Sequence, residues 1–218
     1  VTIDAADLKR MFDTIAVAIE ADRDRLCQLD GVIGDADHGI AMALGFNAVR
    51  DALAPLDLAS IEPTALLNTA AKSFLNAVGA SSGPLYATAF MRAAAAAKGK
   101  ATLAEADFIT LFQAMAQGIK DRGKAEPGEK TMVDAWQPAA EAAAAANLAG
   151  KNLAQSLEAA LAAAGRGAEA TKDMIAAKGR SSRLGERSLG HVDPGAASAV
   201  TVIGAIRDSV GPIASDRS

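Results

Sequence analysis

Apolar residues recur every third or fourth position along most of this chain, and nowhere do they alternate with polar residues over a useful length. Leu8, Met11, Phe12, Ile15, Ile19 and Leu26 set the pattern and predict a helix over residues 4–27 with one buried face. Met42, Phe46, Val49 and Leu53 predict a second helix that starts near His38 and is ended by Pro55. Pro63 suits the first turn of a third, over residues 63–78. A fourth carries Leu85 and Phe90 to about Lys98, and a fifth carries Phe108, Leu111, Phe112, Met115 and Ile119 to Gly123. Residues 131–146 give a sixth helix and residues 149–178 a seventh, open to interruption at Gly165 and Gly167. Asp193 and Pro194 open an eighth, as cap and first helical residue. The pattern is that of one all-α domain over residues 1–218.

Half of the 218 residues are hydrophobic, enough for a substantial core, and the abundance of alanine over aromatic residues suits closely packed helices. A formal charge of -4, with no dense run of Lys or Arg, argues against a general nucleic-acid binder. Cys27 is the single cysteine, which excludes an internal disulfide and a cysteine-rich zinc site. Its place in a helical pattern reads as a structural thiol. There is no signal-like N-terminal segment and no apolar run long enough to span a bilayer, so the chain is expected to be soluble and cytoplasmic.

If the helices run up and down with short connections, neighbours are antiparallel and the connections after the first, third, fifth and seventh helices share one end. Those four connections, around residues 30–38, 79–84, 123–130 and 179–195, are the ones rich in Gly, Ser, Asp and Arg. The first concentrates negative charge: Asp30, Asp35 and Asp37 are hard oxygen donors that can converge on magnesium or calcium. Asp37 can equally serve as a helix cap and the glycines as turn residues. An EF-hand fails, because Ile40 and Phe46 stand where such a loop counted from Asp35 needs Gly and Glu. Residues 123–131 are not a P-loop either, since Glu129 is inserted before Lys130 and no strand precedes them. Lys130 can be a solvated charge. His38 can reach a phosphate or ribose, or cap its helix, and His191 can order its own loop. Arg180, Arg183 and Arg187 can form surface ion pairs, or one of them can stabilise charge during phosphoryl transfer. Carboxylates, guanidinium groups and helix N-termini at one end suit a magnesium-polyphosphate ligand.

Four segments in order, Ile33 to Gly39, Ser81 to Leu85, Arg122 to Gly128 followed by Lys130-Thr131-Met132, and Gly185 to Ser188 followed by Gly190-His191 and Asp193-Pro194-Gly195, resemble the ADP-binding L subunit of dihydroxyacetone kinase. The resemblance implies an eight-helix antiparallel barrel holding ADP or ATP at one end through two Mg2+ ions on Asp30, Asp35 and Asp37. It places nucleotide contacts at His38, Gly39, Ile40, Ala41, Ser81, Ser82, Gly123, Met132, Arg180, Asp193, Pro194 and Gly195, with Arg180 the candidate for charge stabilisation in transfer. Met132 would otherwise read as core. The implied activity is phosphoenolpyruvate-dependent: a phosphohistidine M subunit donates through the bound nucleotide to dihydroxyacetone on a K subunit, and no α/β region of the K type occurs in this chain. An ATP-dependent kinase of another small ketose and a nucleotide-bound regulatory protein are the alternatives. A transcription regulator and a second copy of the chain are further candidate partners; nucleic acid and membrane are not. Two positions depart from the family, which often has Asn at Ala41 and a basic residue at Leu44.

Overall fold

The computed structural model describes residues 2–210. Eight α-helices follow one another: α1 (Ala5–Ile33), α2 (His38–Leu53), α3 (Pro63–Ala77), α4 (Ser82–Ala96), α5 (Glu105–Gly123), α6 (Val133–Leu148), α7 (Leu153–Ala170) and α8 (Pro194–Val210). Each helix packs on the next in sequence, and α8 packs back on α1, so the ring closes into an antiparallel barrel. The single-domain expectation over residues 1–218 includes Val1 and residues 211–218, which lie outside the described residues.

Inside the ring the sparse aromatic residues are concentrated in one cluster. Phe46 meets Phe74 edge to face at 5.0 Å, Phe12 meets Phe90 at 5.2 Å, and Phe112 lies 5.4 Å from Trp136. Removing each such ring from water contributes about 2–3 kcal/mol, and the indole N–H of Trp136 finds the Tyr86 hydroxyl at 3.3 Å. Alanines fill much of the remaining contact surface. They bring helices close at little side-chain entropy cost, as the buried series Ala135, Ala139 and Ala143 on α6 does.

Three features differ from the sequence reading. Helix α1 runs past Cys27 to Ile33, because Leu26, Asp30 and Ile33 continue its buried face and Gly31 alone does not break it. Helix α7 ends earlier than expected, at Ala170, and passes through Gly165 and Gly167 uninterrupted. The chain also forms a two-residue antiparallel pairing of β1 (Thr2–Ile3) with β2 (Leu103–Ala104), too short to show as alternation. That pairing precedes α1 and α5, so it ties the barrel at the pole opposite the α1–α2 connection. No described helix is long and apolar enough to cross a membrane.

Candidate functional site

The acidic stretch is built by the end of one helix and the start of the next. Asp30 sits on the last turns of α1, and its Oδ2 accepts the backbone N–H of Asp37 at 3.0 Å and of His38 at 3.2 Å. Asp30 therefore satisfies N–H groups at the start of α2, which no intrahelical carbonyl can reach. Asp37 occupies the N-cap position, yet its side chain makes no capping bond. Ala36 turns the chain with φ at 63°, in the left-handed region. A Cβ at Gly34 would overlap the Asp30 carboxylate, so the close packing of this turn depends on glycine there.

Asp30, Asp35 and Asp37 each offer a carboxylate oxygen, and these oxygens lie within 4.8 Å of one another. No other group of three or more such side chains occurs among the described residues. Asp30 is buried while Asp35 and Asp37 are exposed, which anchors one side of the cluster and leaves the other facing solvent. Arg180 approaches from the α7–α8 connection, pairing with Asp35 and lying 3.6 Å from Asp37. The donor set is all oxygen and anionic, with the openness magnesium needs to keep waters or phosphate oxygens in its shell. The residues present thus fit a divalent cation bound together with a phosphate ligand.

The cluster forms one wall of a cavity of about 580 Å3, and the connections after α1, α3, α5 and α7 all contribute to its lining. His38 and Ala41 line it from α2, Ser81 and Ser82 from the start of α4, and Gly123 and Met132 from the two sides of the α5–α6 connection. Arg180, Asp193, Pro194 and Gly195 complete it. Gly39 and Ile40 are not brought to it. One helical turn separates His38 from Ala41, and the two residues between them face elsewhere: Gly39 packs against the Arg23 carbonyl of α1, and Ile40 is exposed on the outer surface beside Leu44.

Leu85, Ile119, Met132 and Val133 give the cavity an apolar shelf suited to a base or other planar ring. The starts of α4 and α8 also border the cavity, through Ser81, Ser82 and Gly195, and the positive ends of their helix dipoles favour an anionic ligand there. Asp193 has its expected structural role: its Oδ2 accepts the Ala196 N–H at 2.8 Å. Burial pushes its carboxyl up to about 7, against the opposing effects of the Ala196 N–H and the Lys130 ammonium. His38 Nε2 lies 2.8 Å from Ser198 Oγ, and burial lowers its imidazole pKa below the ordinary value although Asp30 acts the other way. His191 does not line the cavity.

Sequence reasoning missed three residues that shape this end. Lys130 is no solvated charge: it is 1% exposed, and its ammonium donates to the Thr171 and His191 carbonyls. Asp134 is buried and its two oxygens accept the N–H groups of Gly128 at 2.6 Å and Thr131 at 2.8 Å, fixing the α5–α6 connection. Its position three residues after Thr131 was the only signal available. Ser198, buried on α8, had none, since its partner His38 is 160 residues away.

Residues 32–208 match the DAK2 domain. The chain is 43% identical over 176 residues to the ADP-binding subunit DhaL of the PEP-dependent dihydroxyacetone kinase of Escherichia coli K12, covering 79% of this chain and 81% of that one. Among solved structures it resembles the dihydroxyacetone kinase of C. freundii in its native form, with a TM-score of 0.74 and 26% identity over 94% of this chain and 34% of that one. The same kinase in complex with AMP-PNP and Mg2+ gives a TM-score of 0.71 and 25% identity, over 92% of this chain and 33% of that one. The chain spans about a third of the length of that solved kinase and most of the length of the E. coli subunit. With a domain match over most of its length and the same helical barrel, the chain belongs to the DAK2 domain family.

Proposed function

We propose that this chain is the ADP-binding subunit of a phosphoenolpyruvate-dependent dihydroxyacetone kinase, acting in the cytoplasm. The observation that carries the reading is the convergence of three carboxylates, an apolar shelf and two helix N-termini on one cavity. Asp30, Asp35 and Asp37 would hold two Mg2+ ions, which when bound supply positive charge to the phosphate oxygens and screen them from the carboxylates. The chain's own residues do the rest. Met132 and Leu85 take the base on the apolar shelf, Ser81, Ser82 and Gly195 offer polar and backbone groups at two helix starts, and Arg180 stands beside the acids, where a guanidinium stabilises charge building on a transferring phosphoryl group. Asp30 stays oriented by the two N–H groups it accepts, so the cluster keeps one fixed corner.

Dihydroxyacetone is held by a separate K subunit in this reading, and a phosphohistidine M subunit recharges the bound nucleotide. The chain alone is accordingly inactive as a kinase. Family resemblance and the DhaL name of the E. coli relative support that division of labour. The test is the nucleotide and metal content of the purified chain, followed by the same assay on Asp35→Asn. The parent retains ADP and magnesium and the variant loses both while keeping its helical content; a variant that retained ADP normally would overturn the assignment.

A further inference from the structure

Lys130 is the largest buried charge that the proposed nucleotide chemistry leaves without a task. It lies in the α5–α6 connection with φ at 59°, a left-handed conformation uncommon for a residue with a side chain. Asp134 holds the connection on both sides of it through the Gly128 and Thr131 N–H groups. The side chain so presented runs inward, and its ammonium donates to two carbonyls, those of Thr171 and His191. These two residues are the feet of one excursion of the chain, residues 172–190, between the end of α7 and the start of α8.

The same neck is pinched by the Gly190 N–H on the Lys172 carbonyl at 2.8 Å and the Asp193 N–H on Thr171 Oγ1 at 2.9 Å. Between its feet the excursion is held by polar links rather than an apolar core: Arg180 pairs with Asp35, Lys178 lies 3.8 Å from Glu129, and the Ala176 N–H donates to Ser188 Oγ at 3.0 Å. Only Ala176 and Ser188 in it are buried, and one backbone bond, Ala177 N–H to the Glu129 carbonyl at 3.1 Å, joins it to the neighbouring connection. That bond too is made by the residue next to Lys130. Lys178, Arg180 and Arg183, carried on this excursion, line the cavity. An excursion without an apolar core opens at low free-energy cost unless its ends are fixed.

We propose that Lys130 is a positioning residue, a buried ammonium clamp that joins both feet of the 172–190 excursion and so holds Arg180 over the bound nucleoside diphosphate. A cation does this where a neutral donor would not. It has three donors on one atom for the two carbonyls, and Asp193, Asp134 and Asp173 around it offset the burial that lowers its pKa. The inference rests on the nucleotide reading of the cavity for its effect on ligand, but not for its effect on the excursion.

The test compares the full chain with Lys130→Met, which keeps the size and removes the donors, and Lys130→Arg, which keeps charge and two or more donors. Amide hydrogen exchange is followed without nucleotide, and release of ADP is followed with magnesium present. In Lys130→Met, exchange across residues 172–190 rises about tenfold while α1 to α6 keep their protection, and ADP leaves about tenfold faster. Lys130→Arg returns both towards the parent values. A rise in exchange spread evenly over all helices, or an excursion as protected as in the parent, would overturn the clamp. If Lys130→Met does not fold, Lys130→Gln, which is shorter and reaches one carbonyl at most, carries the same comparison and is expected to loosen the excursion. Should the parent itself bind no ADP, the nucleotide reading fails while the exchange measurement still decides whether Lys130 clamps its loop.

Discussion

Asp30 and Asp37 differ in what their carboxylates already do, and alanine separates the two roles. Asp37 makes no capping bond, so Asp37→Ala is expected to leave the stability of the metal-free chain within about 0.5 kcal/mol of the parent while abolishing the thermal shift given by magnesium and ADP. Asp30→Ala removes the acceptor for two N–H groups as well as a ligand, and costs on the order of 1–2 kcal/mol in the metal-free chain. Denaturation with and without ligand measures both; equal losses in the two metal-free variants would mean that Asp37 is a structural cap after all. Asp193 gives a pH effect of definite sign. Its folded pKa, about 7, lies above the ordinary 3.8, so its contribution to stability is complete below pH 3.8 and is lost as pH rises through 7. Asp193→Asn keeps a capping oxygen and cannot ionise, so the difference between variant and parent melting temperatures grows in the variant's favour from pH 4 to pH 8. A difference that stays constant over that range would show that the carboxyl ionises as it does in the unfolded chain. Residue types in the acidic stretch were legible because three aspartates around glycines have few chemical uses. Which of them caps the helix was not, because the cap comes from seven residues upstream, across the turn.

Among the elements, α6 and α7 show how close packing overrides local preference. A Cβ at Gly167 would run into the Asp134 carbonyl of α6, whereas a Cβ at Gly165, two residues earlier on the same helix, would meet nothing within 4 Å. The same substitution therefore has opposite signs. Gly165→Ala gains helix propensity and stabilises by about 0.5–1 kcal/mol, while Gly167→Ala forces the two helices apart and destabilises by about 1–3 kcal/mol net of that gain. Chemical denaturation of the two variants checks the pair, and like signs would mean that α7 does not approach α6 as closely as described. Both glycines read in the sequence as places where α7 could break. The periodicity of the apolar residues found the eight α-helices, since a buried face repeats whether or not a glycine interrupts it, but not the 3-10 turns Thr171–Asp173 and Arg180–Ser188, which bury almost nothing. The ends were harder: beyond Leu26 only Ile33 continues the apolar face of α1, and the polar Asp30 between them is buried because it gains two N–H partners on the next element, which leaves no mark in the pattern.

At the scale of the whole barrel, antiparallel order alone places the four odd connections at one pole, and their unusual composition made that pole visible in the sequence. What could not be read is the buried wiring between them, from Lys130 to the two feet of the α7–α8 excursion and from His38 to Ser198, because each link joins residues far apart in the chain. The cavity is thus walled by four connections far apart in the chain, and in it two exposed aspartates and one buried one offer carboxylate oxygens within 4.8 Å of one another. A ligand that bridges those segments must also neutralise the acids. Magnesium alone leaves the apolar shelf and helix starts unused, and ADP alone brings phosphates against carboxylates. The expected result is strong coupling: either ligand alone shifts the melting temperature little, and the two together stabilise the chain by about 2.7 kcal/mol at a concentration one hundred times the dissociation constant. That corresponds to a rise of about 5–10 °C for a chain of this size. Thermal denaturation with magnesium, with ADP and with both measures it, and the sign of the coupling is the decisive quantity. Equal shifts from ADP with and without magnesium would mean that the nucleotide is held without any cation between its phosphates and the acids, and the carboxylate cluster would then have no part in binding.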